Sequence, residues 1–101
     1  MNDIERALDD SNQAIQLDPQ KSLFYINRGV IHQKTVDKSK ALDDYNQAIN
    51  LNSEESEPYF KRGILYEEIG QKENALMDYT QAIELNSYSL KIYITRGDIL
   101  F

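Results

Sequence analysis

The sequence predicts an all-α chain of stacked helix pairs. Three observations carry that expectation: a 34-residue internal period, apolar positions at helical spacing inside each period, and short connections punctuated by proline and glycine. Ala7, Ala41 and Ala75 are 34 apart, as are Ala14, Ala48 and Ala82, and again Gly29, Gly63 and Gly97. Tyr25, Tyr59 and Tyr93 each stand four residues before one of those glycines, and an arginine immediately precedes each glycine. Three sets sharing one interval point to a single structural unit repeated along the chain.

The elements follow in order at roughly 3–17, 22–35, 38–51, 56–69, 72–85 and 90–101. Around Tyr45, the residues Ala41, Leu42, Tyr45, Ala48, Ile49 and Leu51 keep the three-four spacing of one buried helical stripe, where a strand would alternate. Around Gly29, Tyr25 and His32 share its face while Ile26 and Val30 occupy the next, so this helix is expected to meet neighbours on more than one side. Leu17-Asp18-Pro19 should stop the first helix, and Gly70 can take the left-handed conformation that ends another. Ser56 and Ser89 are candidate N-caps, and Pro58 falls in a first turn, where its missing N–H costs nothing. All connections are short, which makes successive helices antiparallel neighbours.

Composition removes several classes of function. Seventeen acidic against eleven basic side chains give a net charge of -6, which repels phosphate backbones, so nucleic acid is not an expected partner. No basic amphipathic stripe favours an anionic membrane surface, and no apolar run is long enough to span a bilayer. The first residues lack the basic and apolar stretches of a secretory signal, so an intracellular, cytoplasmic chain is expected. The absence of cysteine excludes disulfides and thiolate chemistry.

These repeated positions resemble the tetratricopeptide repeat, a helix-turn-helix unit of 34 residues with small residues where its helices cross and aromatics between them. Gly29, Gly63 and Gly97 match its small position in the first helix. Ala7, Ala41 and Ala75 match the alanine that opens the second helix, Tyr45 and Tyr79 its aromatic, Ala14, Ala48 and Ala82 its second alanine, and Pro19 its closing proline. Ser11, Ser53, Ser87 and Val36 depart from the pattern, and the Val36 turn is expected to differ from the Gly70 turn. The resemblance implies a short right-handed α-solenoid forming one domain over 1–101, with a partial repeat at 1–21, full repeats at 22–55 and 56–89, and a partial repeat at 90–101. Two ends without a polar capping face suggest a piece of a longer solenoid.

No nucleophile-base pair, metal cluster or phosphate loop is recognisable, so the expectation is a non-enzyme without cofactor. His32 shares the register of Tyr66 and Leu100 and is expected to fill the core. The acidic pairs Asp9-Asp10, Asp43-Asp44, Glu54-Glu55 and Glu67-Glu68 lack calcium-loop spacing and are expected on solvated faces and loop ends. Arg28, Arg62 and Arg96 are expected to pair with Asp10, Asp44 and Asp78 of the preceding second helix, the register that leaves none of the six unmatched.

The family's functional surface is usually the concave face, lined by first helices. By that resemblance, a peptide groove here comprises Leu23, Ile26, Asn27, Val30 and Gln33, then Phe60, Lys61, Ile64 and Glu67, then Ile94, Thr95 and Asp98. Its apolar stripe would read an apolar segment of a partner protein, unless neighbouring superhelical elements cover it. The positions by which some repeats of this family clamp acidic chaperone tails hold Ile26, Val30, Lys61, Lys91 and Thr95, of which only Lys91 matches, so that clamp is not expected. A structural role is the alternative function: apolar residues along 90–101 could drive end-to-end self-association.

Overall fold

A computed structural model describes residues 2–95, with side chains described through Asn86. Among the described residues the chain forms five helices and no strand: α1 (Asp3–Leu17), α2 (Ser22–Gln33), α3 (Lys38–Leu51), α4 (Ser56–Glu68) and α5 (Lys72–Thr95). Each helix packs on its neighbours in sequence, and α2 also meets α4. That arrangement is the solenoid expected from the period.

The core lies between the helices of the central pairs. Tyr25, Ile26 and Ala48 form one buried cluster with Ile15 and Leu51 packed against it. Ala41, Tyr45 and Leu65 form a second, with Val30 and Leu42 beside it. The small residues serve the close approach foreseen for them. A Cβ on Gly29 would lie 2.6 Å from Tyr45 Cε1, and one on Gly63 would lie 2.7 Å from Tyr79 Cε1. Each ring therefore occupies the space where a side chain would be.

The α2–α3 and α4–α5 turns, one within each full repeat, close by different chemistry. Gly70, at φ 84, lets its N–H donate to the Glu67 carbonyl (3.1 Å) while the Gln71 N–H donates to the Tyr66 carbonyl (2.8 Å), the pair of bonds that defines a Schellman end. Val36 has no positive φ, and side chains do this work instead. Thr35 Oγ1 donates to the His32 carbonyl (2.7 Å) and accepts from the Asp37 N–H (3.0 Å), while Lys38 Nζ donates to the Gln33 carbonyl (2.7 Å).

Two boundaries depart from expectation. Ser56 is the first residue of α4 rather than its cap, because Glu55 takes the N-cap position, and the Ser56 hydroxyl donates to Asn86 Oδ1 (3.0 Å). Ser89 lies inside α5, which continues through Asn86–Ser89 to Thr95 instead of ending near 85. At the matching place one repeat earlier, the chain turns at Asn52, with φ -150. There, Glu55 Oε1 accepts from both Ser22 Oγ (2.7 Å) and Asn52 Nδ2 (3.0 Å), which clasps the start of α2 to the end of α3. The residue in the register of Glu55 is Ser89, whose short side chain carries no carboxylate to make that clasp.

Candidate interaction surfaces

Two arginines on the first helices organise the side chains around them. Arg28 reaches Asp44 on α3 with two parallel bonds, Nε to Oδ2 at 2.9 Å and Nη2 to Oδ1 at 2.7 Å, and its Nη1 donates to Asn12 on α1 at 2.9 Å. Arg62 repeats this one period later, with Asp78 on α5 at 2.7 Å for both bonds and Asn46 on α3 at 2.8 Å. The pairing is therefore with the following second helix, not with Asp10 and Asp44 of the preceding one as the residue count suggested. Asp10 is exposed, and Arg96 lies outside the described residues.

The reason is geometric. Asp44 and Asn46, two apart on α3, point to opposite sides of the helix, so one faces α2 and the other α4. A planar guanidinium satisfies a carboxylate on one side and an amide oxygen on the other. Asn12 and Asn46, also 34 apart, were the signal that could have fixed the register.

Asp44 and Asp78 are buried, so Asp44 does not sit on the solvated face expected of the Asp43-Asp44 pair. The hydrogen bonds to Asp44 and Asp78 hold both guanidinium pKa values above the ordinary arginine value, against the opposing effect of burial. His32 is partly buried, with Nε2 3.9 Å from Asp44 Oδ2, at the edge of this cluster rather than deep in the core. No group of three or more acidic or histidine residues able to hold a metal occurs among the described residues, and none of their helices is long and apolar enough to cross a membrane.

Along α2 and α4, the sequence-derived groove residues fall into three groups. Leu23, Asn27, Phe60 and Glu67 are exposed; Val30, Gln33, Lys61 and Ile64 are partly covered; Ile26 is only 1% exposed and belongs to the core. Gln33 accepts from Tyr45 Oη (2.6 Å) and donates to Glu68 (3.2 Å), which ties α2 to both α3 and α4. Glu67 accepts from Tyr79 Oη in the equivalent place. Lys61 Nζ stands 3.9 Å from Glu57. The side chains of Ile94 and Thr95, and the whole of Asp98, lie outside the described residues.

A surface that sequence reasoning did not single out opens at the α4–α5 end. Ser56, Glu57, Phe60, Tyr79, Ala82, Ile83 and Asn86 line a mostly apolar recess of ≈ 610 Å³. The Phe60 and Tyr79 rings meet there with centroids 5.8 Å apart. A polar recess of ≈ 380 Å³ lies over the Arg28–Asp44 pair, bordered by Leu8, His32, Lys40 and Asp43.

Comparison with known proteins agrees with this architecture. The profile of the tetratricopeptide repeat matches residues 23–55 and 56–88. No curated protein matches in sequence. A crystal structure of MamA superimposes with TM-score 0.84 at 22% identity, over 89% of this chain and 53% of MamA. A second MamA structure, MSR-1 C2, gives 0.78 at 22% identity over 85% and 49%. The second such repeat domain of Spaghetti (RPAP3), solved with the HSP90 peptide SRMEEVD, gives 0.76 at 27% identity over 81% and 76%. The chain thus spans about half the length of the MamA structures it matches.

Proposed function

This chain belongs to the tetratricopeptide repeat family, and we propose that it is a non-catalytic module whose α2–α4 face holds an extended segment of a partner protein. The observation that carries the reading is the run of apolar side chains along these two first helices. Leu23 and Phe60 are exposed, Val30 and Ile64 partly so, and polar residues surround them. Exposed apolar surface with a polar border is the usual signature of a peptide groove. In the sequence, Ile94 and Thr95 keep the same register one period later, and Asp98 follows.

The border is acidic. Glu57, Glu67 and Glu68 lie along α4, where Lys61 faces Glu57 at 3.9 Å and Lys38 faces Glu68 at 3.2 Å. In a chain of net charge -6, this favours a segment of apolar and basic residues over an acidic tail. RPAP3 was solved with an acidic peptide; here the positions that would receive such a tail include the buried Ile26 and the apolar Val30.

Fluorescence polarisation with labelled peptides tests both parts of the reading. An apolar-basic panel should bind more tightly than SRMEEVD, and Leu23→Asp or Ile64→Asp should weaken binding at least tenfold without loss of helicity. Tighter binding of the acidic peptide, or unchanged binding by both variants, would overturn it. A second reading, self-association through residues 90–101, is favoured by one specific observation: Leu76, Met77 and Ile83 on α5 are all exposed.

A further inference from the structure

The 34-residue period makes the two full repeats direct controls for each other. In the first, α4 lies over α2 and α3. Ile26 is 1% exposed, Ala48 is fully buried, and Leu65 of α4 is buried against Ala41 and Tyr45. One period later, the positions matching Ile26 and Ile49 face the α4–α5 recess, and no helix among the described residues lies over them, although Ala75 and Ala82 stay buried. Phe60, in the register of Ile26, is 52% exposed, and Ile83, in the register of Ile49, is 64% exposed. Leu76 is exposed too, whereas its counterpart Leu42 packs against the Ala41–Tyr45–Leu65 cluster.

The recess therefore has the shape and chemistry of a seat for a helix equivalent to α4. The chain contains one such sequence, at 90–101. Tyr93, Arg96 and Gly97 there repeat Tyr59, Arg62 and Gly63, and Ile92 and Ile99 stand in the register of the buried Pro58 and Leu65. Yet α5 runs unbroken from Lys72 to Thr95. A continuous helix cannot fold back on the recess that its own Tyr79–Asn86 stretch lines. At 1.5 Å per residue, it instead carries Thr95 roughly 14 Å beyond Asn86. In the register of Glu55, whose carboxylate clasps Ser22 to Asn52, the sequence has Ser89, and Ser56 reaches Asn86 directly at 3.0 Å.

The geometry points to a reciprocal exchange in which residues 90–101 of one copy occupy the α4–α5 recess of a second copy. Each copy offers both the seat and the segment, so two contacts related by a twofold axis close the assembly at a dimer. Ile99 of one copy packs where Leu65 packs in the first repeat, against Ala75 and Tyr79 of the other. This deepens the self-association reading; it shares Phe60 with the α2–α4 groove but needs neither Leu23 nor Ile64.

Light scattering coupled to size exclusion, across micromolar to submillimolar concentrations of the 101-residue chain, tests the exchange. The expected mass rises from 11.7 kDa to twice that and stops. Ile83→Asp changes an exposed wall of the seat and Ile99→Asp changes the segment, so each alone should remain monomeric with unchanged helical circular dichroism. Mixing the two restores a dimer, because one seat and one segment remain intact between them. Ser89→Glu, which supplies the missing carboxylate, should shift the chain toward monomer by letting its own segment turn back. A monomer at every concentration, growth past two copies, or a dimeric Ile83→Asp would overturn the proposal. Leu23→Asp and Ile64→Asp should leave the mass unchanged, which separates its failure from that of the peptide groove.

Discussion

The repeats at 22–55 and 56–89 share their pattern of small residues, aromatics and arginine, yet among the described residues only the first is closed. Tyr45 is fully buried beneath α4, while its counterpart Tyr79 is only partly covered. The Arg28–Asp44 and Arg62–Asp78 pairs, by contrast, are nearly identical in burial and distance. The comparison separates two kinds of stabilisation. The ion pairs are complete once a first helix meets its own second helix. The aromatic packing is complete only when the next first helix arrives.

The largest effect expected from this comparison is also the most symmetric. Asp44→Ala and Asp78→Ala each leave a largely buried guanidinium without its carboxylate, at a cost of roughly 2–4 kcal/mol after allowing for residual solvent at the arginine. Urea unfolding should give the two variants equal losses within error; a loss confined to one repeat would break the equivalence.

The glycines should behave asymmetrically. Alanine at either site gains up to ~1 kcal/mol in helix propensity, but its Cβ must displace a ring. Tyr45 has nowhere to go, and Gly29→Ala should cost about 2 kcal/mol net. Tyr79 can swing toward the open recess, so Gly63→Ala should lie within about 1 kcal/mol of neutral. Equal losses in thermal melts would mean that the second ring is as confined as the first.

The smallest effect appears at high pH. Burial, reinforced by Glu68, Asp44 and Glu57, raises the Tyr45 phenol above its ordinary value of 10.0. Between that value and the folded one, the unfolded chain releases a proton that the folded chain keeps, so stability present below pH 10 is lost as pH rises. Tyr45→Phe removes this dependence. Its stability deficit relative to the parent chain should shrink by about 1 kcal/mol between pH 8 and pH 11 in urea titrations. A constant deficit would show that Tyr45 titrates normally.

Much of this was legible from spacing alone. The period fixed the helix order, the glycine-aromatic contacts and the ends of α1 and α4, because each follows from a residue type whose local role is nearly unique. Two features were not. The arginine partners depend on which side of α3 a carboxylate faces, and counting residues, without weighing Asn12 and Asn46, chose Asp10 for Arg28 where the partner is Asp44. The run of α5 through Ser89 goes with the replacement of the clasping Glu55 by Ser89, and a serine at that place read instead as the start of a new helix. The α2–α4 groove residues came from family register. Register alone did not distinguish the core residue Ile26 from the exposed Phe60 at the equivalent place.

Because Arg28 joins α1 to α3 and Arg62 joins α3 to α5, the bonds run across the boundaries between units as well as within them. In the language of a one-dimensional lattice, the coupling between neighbouring sites includes a charge that cannot be abandoned cheaply. Melting the 22–55 unit away strips Arg62 of Asn46 and opens its pair with Asp78 to solvent on that side, so partial unfolding carries a penalty that fraying at an ordinary helix end does not. The array should therefore lose its structure in one cooperative step, despite being assembled from pieces that each touch only their neighbours.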